Sequence, residues 1–122
     1  MPLNAKDFAL KAVRLLKEKK AIDIRLLDIG QISILADYFI LCTGASSTQT
    51  QALCDYLMDE LPQNDYELLR VEGYKEAAWI LLDFGVLIIH IFLPDERNFY
   101  NLERLWGGAE GIDVADVSSI SS

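Results

Sequence analysis

The sequence predicts a single α/β domain in which helices flank a mixed, mostly parallel β-sheet. Several apolar runs have the length of strands, and between them apolar residues recur at helical spacing. The predicted order of elements over residues 1–108 is α-β-β-α-β-β-β-α. A chain of 122 residues can bury the core of one such domain without a metal or a disulfide framework.

The first helix is predicted to follow Asn4, whose side chain can cap it, with Asp7 three residues on as the reciprocal group. Its apolar residues at helical spacing are Phe8, Ala12, Leu15 and Leu16. Lysines in residues 17–20 lie near the negative end of the helix dipole and mark its end. β-branched residues and leucines then predict a strand over residues 22–29.

The second strand and the second helix have clearer signals. Residues 38–42 form a nearly continuous apolar run, which is typical of a strand covered on both faces. Ser46 with Gln49 forms a capping box for the helix that follows, and Pro62 stops that helix. The stripe on this helix is Thr50, Leu53, Leu57, Met58 and Leu61.

Three more strands and a last helix are predicted in the second half. Residues 66–71 form one strand, and residues 79–83 and 86–93 form a hairpin. Gly85 lies between the hairpin strands and can supply the positive φ that a tight turn needs. The last helix begins after Pro94-Asp95 and ends at Gly107-Gly108.

Charge is unevenly distributed along the chain. The net charge is −8, yet residues 1–20 carry more basic than acidic side chains. Residues 109–122 contain acids and no base, and we predict that they form a flexible acidic tail. An acidic body repels phosphate, which disfavours direct, broad nucleic-acid binding and favours a basic protein partner. The charge could also serve solubility alone.

The sequence has no signal for membrane insertion or export. No apolar run reaches the roughly 18 residues that a membrane helix needs. The N-terminal segment is rich in lysine where a signal peptide would be apolar, so we expect a cytoplasmic protein. Cys42 and Cys54 fall in an apolar strand and a helix, and we interpret them as reduced core residues.

Motifs for catalysis are scarce. The chain has one histidine, no Cys–His spacing suited to zinc, and neither a P-loop nor a Rossmann fingerprint. Gly44-Ala45-Ser46 after a strand could begin a nucleotidyltransferase site, but no Asp-x-Asp pair follows it to hold two magnesium ions. We therefore expect no catalytic residue, metal or cofactor, and keep a small nucleotidyltransferase-like enzyme as the alternative.

A longer ordered series of motifs spans residues 5–107. Its first pieces are Asp37-Tyr38-Phe39-Ile40, Thr43-Gly44, Ser46-Ser47, Gln49 and Glu72-Gly73. Its later pieces are Trp79, Asp83-Phe84-Gly85, His90-Ile91-Phe92 and Arg97-x-x-Tyr100-x-Leu102-Glu103-x-Leu105-Trp106. In this order the pieces resemble the ribosomal silencing factor family, also called Iojap-like, although each piece alone has little specificity.

The resemblance implies a nucleotidyltransferase-like fold without transferase activity, and a cytoplasmic homodimer. Members of the family bind the fourteenth protein of the large ribosomal subunit, on the face that meets the small subunit. The bound factor blocks subunit joining and so represses translation under nutrient limitation. A general dimeric adaptor with a non-ribosomal partner is the other alternative.

The resemblance is concentrated on the last strands and the last helix. The partner-binding residues expected there are Trp79, Asp83, His90, Tyr100, Leu102 and Glu103. The natural candidates for aromatic anchors are Trp79, Tyr100 and Trp106, because a few such side chains carry most of the energy of an interface. Trp106 lies at helical spacing with Phe99 and Leu102 and fits a core position better than a surface one. Asp83 and Glu103 can pair with basic residues of a ribosomal protein. His90 could orient the acidic groups near Asp83, since the hairpin brings the two strands together.

The candidates also have structural interpretations. Asp83 and Glu103 could be solvated, or could pair with Arg97 or Arg104 of the same chain. His90 alternates onto the face of apolar neighbours in its strand, where a lone histidine is commonly a hydrogen-bonded core group.

Two positions depart from the family pattern. Val86 stands where an acid usually follows Asp-aromatic-Gly, and Thr48 replaces a residue that is often basic. If the missing acid meets a basic residue of the partner elsewhere in the family, this chain makes one contact fewer. Neither change removes an aromatic anchor.

Overall fold

The structure is a computed structural model that describes residues 4–31, 33–63, 65–100, 110–115 and 117. The helices are α1 (Ala5–Glu18), α2 (Ser47–Glu60) and α3 (Pro94–Tyr100). The strands are β1 (Ile22–Asp28), β2 (Tyr38–Thr43), β3 (Arg70–Glu72), β4 (Trp79–Asp83), β5 (Leu87–Phe92) and β6 (Glu110–Ile112). The observed order is α-β-β-α-β-β-β-α-β, so one strand follows the elements that the sequence predicts.

The six strands form one mixed sheet in the order β3-β4-β5-β2-β1-β6. Among the described pairs only β2 and β5 are parallel, and the other four are antiparallel. The prediction of a mostly parallel sheet is therefore wrong. The reason is that short connections reverse the chain between β1 and β2, β3 and β4, and β4 and β5, whereas only the long path through α2 returns a strand in parallel.

Both predicted N-cap residues are confirmed, but the Gln49 side chain accepts from the Ala45 N–H and not from the N–H of Ser46 as a capping box would have it. Asn4 Oδ1 accepts a hydrogen bond from the Asp7 backbone N–H at 2.8 Å, and Ser46 Oγ accepts one from the Gln49 N–H at 3.2 Å. These bonds satisfy backbone donors that the first turn of a helix leaves without a partner. Within the described ranges no helix has the length and apolar character needed to cross a membrane.

The main core lies between the sheet and the helices α1 and α2. Its large, fully buried members include Phe8, Leu16, Leu26, Ile40, Leu53, Leu57, Ile80, Leu82, Ile89 and Ile91. Cys42 and Cys54 are free thiols buried in this core, as the sequence predicts, and burial raises the pKa of each to about 12. Both thiols therefore stay protonated near neutral pH and act as small apolar side chains.

A second apolar layer covers the opposite side of the sheet, which we call the distal face. Its residues are Leu27, Phe39, Leu41, Trp79, Leu81, Ile88, His90 and Phe92. Successive strand residues point to opposite faces, so β2 and β5, which are buried along almost their whole length, supply both layers. This confirms the prediction that the run beginning at Tyr38 is covered on both sides.

The third strand begins later than predicted. Tyr66 forms a single β-bridge with Gln63 through two backbone hydrogen bonds of 3.0 Å, and its ring stacks on Phe8 at 4.4 Å between centroids. Regular pairing with β4 starts only at Arg70. The predicted start of this strand at Tyr66 is wrong, because Tyr66 closes a local turn and packs its ring on α1.

Part of the predicted tail belongs to the sheet. Glu110–Ile112 pairs antiparallel with the outer edge of β1 as β6. Lys17 Nζ donates to the Val114 carbonyl and, at 2.9 Å, to the Val117 carbonyl. These contacts hold the segment against α1 and β1. The domain boundary at residue 108 stays a prediction, and the predicted end of the last helix lies outside the described residues.

Candidate functional site

Three of the predicted partner-binding residues lie on the distal face, namely Trp79, Asp83 and His90. Trp79, Leu81 and Asp83 alternate along β4, with Trp79 opposite Phe92 and Leu81 opposite His90 on β5. The antiparallel hairpin thus brings Trp79 and His90 close together at one end of the strand pair. Asp83 lies at the other end, beside the turn.

The third helix holds the remaining candidates only in part. Tyr100 is the last described residue of α3, and its backbone is helical. Leu102 and Glu103 lie outside the described residues, so their place in a site stays a prediction. Among the candidates on the distal face, Trp79 and Asp83 therefore have half-buried side chains that the structure describes.

A hydrogen bond joins Trp79 to His90. Trp79 Nε1–H donates to His90 Nδ1 at 3.0 Å. Because Nδ1 accepts, the neutral imidazole carries its proton on Nε2. The imidazole also meets Phe39 edge-on at 4.9 Å and lies nearly parallel to Phe92 at 6.1 Å between ring centroids. Rings on β2 and β5 thus hold the imidazole that bonds to the Trp79 indole.

His90 is uncharged at neutral pH. Its side chain is only 4% exposed, and this burial lowers the pKa of the imidazole to about 4. Nε2 is buried as well, and no described residue accepts a hydrogen bond from it. The prediction that His90 orients acids near Asp83 is wrong, because the bonded partner of its ring is Trp79.

Asp83 stabilises the turn that follows it. Its Oδ2 lies 3.2 Å from Arg70 Nε on β3, and its Oδ1 accepts a hydrogen bond from the Gly85 N–H at 2.8 Å. Gly85 has a φ of +82°, as expected for the glycine of this hairpin. A partner's basic side chain would share the carboxylate with Arg70, whose exposed position makes the existing ion pair weak.

Gly73 sets the position of Trp79. Its φ is +78°, and a Cβ atom there would lie 2.1 Å from the Trp79 carbonyl oxygen. Only glycine allows the chain to pass so close to the start of β4. The Glu72-Gly73 motif therefore has a physical reason that sequence reasoning did not supply.

Arg97 attaches the third helix to the sheet. It is 7% exposed, and its Nη1 donates to the Asp23 carbonyl at 2.6 Å and to Thr43 Oγ1 at 3.1 Å. Its Nη2 lies 3.5 Å from the Asp23 carboxylate. Sequence reasoning considered Arg97 only as a possible partner of Asp83 or Glu103. Its place at the head of the last motif was the available signal for a fixed role.

The loop after β2, residues 43–46, connects the sheet to α2. The Gly44 N–H donates to the Phe92 carbonyl at 2.9 Å, and the Ala45 N–H donates to Gln49 Oε1 at 2.7 Å. A Cβ atom on Gly44 would lie 2.7 Å from Thr50 Cγ2, so the glycine permits close approach of the helix. These two amides have protein partners in the places where a phosphate-binding loop would present free donors.

Comparison with known proteins gives one consistent result. The chain matches the family described as "Ribosomal silencing factor during starvation" over residues 2–122. Ribosomal silencing factor RsfS of Bacillus subtilis is 40% identical over 112 residues, which cover 92% of this chain and 95% of that protein. The mouse protein named "Mitochondrial assembly of ribosomal large subunit protein 1" is 32% identical over 97 residues, covering 77% of this chain and 42% of that protein.

Solved structures share the fold. A crystal structure of a Chromobacterium violaceum protein superposes with a TM-score of 0.82 at 28% identity, covering 93% of this chain and 98% of that one. A Bacillus halodurans structure gives a TM-score of 0.76 at 36% identity, covering 90% and 99%. The mixed six-stranded sheet flanked by helices is thus an arrangement that these two solved structures share.

Proposed function

Since this chain belongs to the ribosomal silencing factor family, we propose that it binds the large ribosomal subunit and blocks its association with the small subunit. The family regulates translation through ribosome silencing. The observation that carries the proposal is the family match over residues 2–122, which includes every candidate contact residue. Repression of translation under nutrient limitation is the expected result.

The proposed partner is the fourteenth protein of the large subunit. Two observations support a ribosomal protein: the mouse relative is named for assembly of a ribosomal large subunit, and this chain carries a net charge of −8. An acidic protein is attracted to a basic protein surface and repelled by exposed RNA phosphate. We further propose that the protein acts in the cytoplasm as a homodimer.

We assign the contact to the edge of the distal face and the end of α3. Trp79 is half-buried, and its indole is held by His90, so little side-chain freedom is lost when a partner covers it. Asp83 supplies a carboxylate on the same strand, and Tyr100, Leu102 and Glu103 extend the surface.

Blocking by this route needs no covalent step. A protein of 13.8 kDa bound where the two subunits meet prevents their close approach by its volume. The degree of repression then follows occupancy, which depends on the concentration of the factor relative to its dissociation constant.

The decisive experiment is co-sedimentation of the purified protein with separated bacterial ribosomal subunits. We expect it to sediment with large subunits and not with small subunits, and to reduce the fraction of joined ribosomes after the subunits are remixed. Sedimentation with neither subunit would refute the proposal.

The anchors are tested by Trp79→Ala and Tyr100→Ala. Each substitution should weaken binding to large subunits by about 2 kcal/mol or more, because truncation of a buried aromatic removes the main contact of an interface. Titrated co-sedimentation measures the change, and thermal unfolding confirms that each variant is folded.

Tyr74→Ala is the matched control. Tyr74 is an exposed aromatic whose hydroxyl bonds to Asp55 on α2, away from the proposed contact. It should leave the affinity unchanged. Wild-type affinity in both folded anchor variants would remove this surface from consideration.

A further inference from the structure

The loop between β1 and β2, described over residues 29–31 and 33–37, presents two adjacent aliphatic side chains to water. The Ile34 side chain is fully exposed, and Leu35 is 66% exposed. A single exposed apolar residue is ordinary on a protein surface. A pair at the tip of one loop exposes a contiguous apolar area, which is typical of an interaction site.

The loop is held in place by its own bonds. The Ser33 N–H donates to the Ile29 carbonyl at 2.9 Å, and the Leu35 N–H donates to Ser33 Oγ at 3.0 Å. Ile29 and Ala36, on either side of the tip, are buried against the distal face. The two exposed side chains are therefore presented by an anchored backbone, and binding would cost little ordering entropy.

The loop joins directly onto the candidate site. The N–H groups of Asp37 and Tyr38 donate to the Val86 carbonyl at 2.9 and 3.0 Å. Val86 belongs to the turn that Asp83 stabilises through Gly85. The base of the loop and the acidic end of the candidate site thus lie at the same end of the sheet.

Two carboxylates flank the loop. A Cβ atom on Gly30 would lie 3.5 Å from Asp37 Oδ1 and 3.7 Å from Asp28 Oδ1, so both acids converge there. They border an open cavity of about 380 Å³, with Lys6 also on its wall. Among the described residues neither acid has an ion-pair partner within 4.0 Å.

On the basis of the proposed function, we propose that Ile34 and Leu35 form a second contact with the large ribosomal subunit. They insert into an apolar recess of a basic protein, and a lysine or arginine of that protein lies beside Asp28 and Asp37. The charges favour this occupant over a second copy of the chain. Two copies meeting here would each bring a net charge of −8 and two carboxylates to the interface.

The test compares matched polar substitutions. The double variant Ile34→Gln/Leu35→Gln removes the apolar pair without touching the core. Met58→Gln is the control, because Met58 is an exposed apolar residue, 42% accessible, on α2 at the other side of the sheet. Titrated co-sedimentation should show a dissociation constant for large subunits at least roughly tenfold higher in the double variant and unchanged in Met58→Gln.

The outcomes separate this inference from the proposed function. If the wild-type chain does not bind large subunits, the proposed function fails and this contact with it. If the wild type binds and the double variant binds equally well, only the loop contact is refuted. Sedimentation velocity of the free proteins tests the remaining outcome. If the double variant self-associates less than the wild type but binds large subunits equally well, Ile34 and Leu35 form a contact between copies of the chain. That result would also refute the proposed contact with the large subunit.

Discussion

His90 holds the indole of Trp79 in one orientation. Its Nδ1 accepts the Trp79 indole N–H, while no described residue accepts from its buried Nε2–H. We attribute its presence to the orientation that it imposes on Trp79.

The same residue predicts a pH dependence of stability. The folded pKa of about 4 lies below the ordinary value of 6.5, so between these values the unfolded chain binds a proton that the folded chain does not. Stability should fall as the pH drops from about 6.5 to about 4, by up to roughly 3 kcal/mol, and this loss should level off below that.

Urea denaturation of the wild type and of His90→Gln over this pH range measures the effect. His90→Gln lacks only the imidazole, so the difference between the two curves isolates the contribution of that group. Parallel curves would contradict the prediction.

Glycine substitutions should follow a graded order. Gly73→Ala combines a positive φ with a Cβ at 2.1 Å from the Trp79 carbonyl oxygen, and should lower stability by about 3 kcal/mol or more. Gly85→Ala shares the positive φ, but its first contact is Leu69 Cδ1 at 3.6 Å, so about 1 kcal/mol is expected. Chemical denaturation provides both values. Equal losses would mean that the close approach to Trp79 is unimportant.

At the scale of elements, local signals were predictable and distant ones were not. The caps at Asn4 and Ser46 and the glycine turn at Gly85 involve residues within three or four positions, and each was predicted from sequence. Strand β6 was missed because its pairing with β1 joins opposite ends of the described chain. The same reason applies to Arg97, whose partners Asp23 and Thr43 are distant in sequence.

Arg97→Lys tests how α3 is held. Nη1 bonds to the Asp23 carbonyl and to Thr43 Oγ1, while Nη2 lies near the Asp23 carboxylate. A single ammonium cannot occupy both nitrogen positions, so stability should fall by about 2 kcal/mol. Affinity for large subunits should also fall, because α3 carries Tyr100.

Asp23→Asn is the control. It keeps the carbonyl and loses only the 3.5 Å ion pair, so less than about 1 kcal/mol is expected. An equal loss of stability in both variants would mean that the ion pair with Asp23, and not the two hydrogen bonds, holds α3 to the sheet.

At the scale of the whole molecule, the sequence predicted the α/β class and the flanking helices but not the strand directions. Periodicity identifies an apolar strand, yet Tyr38–Thr43 reads alike whether its neighbours run parallel or antiparallel. The candidate site was predicted in the same incomplete way. Trp79, Asp83 and His90 do share one face, but the bond from Trp79 to His90 depends on rotamers that no spacing encodes.

The net charge predicts how the factor associates with the ribosome. With a net charge of −8 and a basic partner, the association rate with large subunits should fall at least roughly tenfold as salt is raised from low to high ionic strength. Stopped-flow fluorescence of labelled protein measures the rate, with sucrose of matched viscosity as the control. A rate independent of salt would contradict an electrostatic role for the acidic body.

The pairing of β6 with β1 also bears on how the protein is made. Strand β1 leaves the ribosome early in synthesis, whereas β6 is among the last described segments to emerge. Until then the outer edge of β1 carries unpaired backbone groups that can pair with another chain. Contacts between distant segments also form slowly. Completion of the sheet is therefore a late event in synthesis, and a pause in elongation before Glu110 would prolong the period in which newly made copies can aggregate.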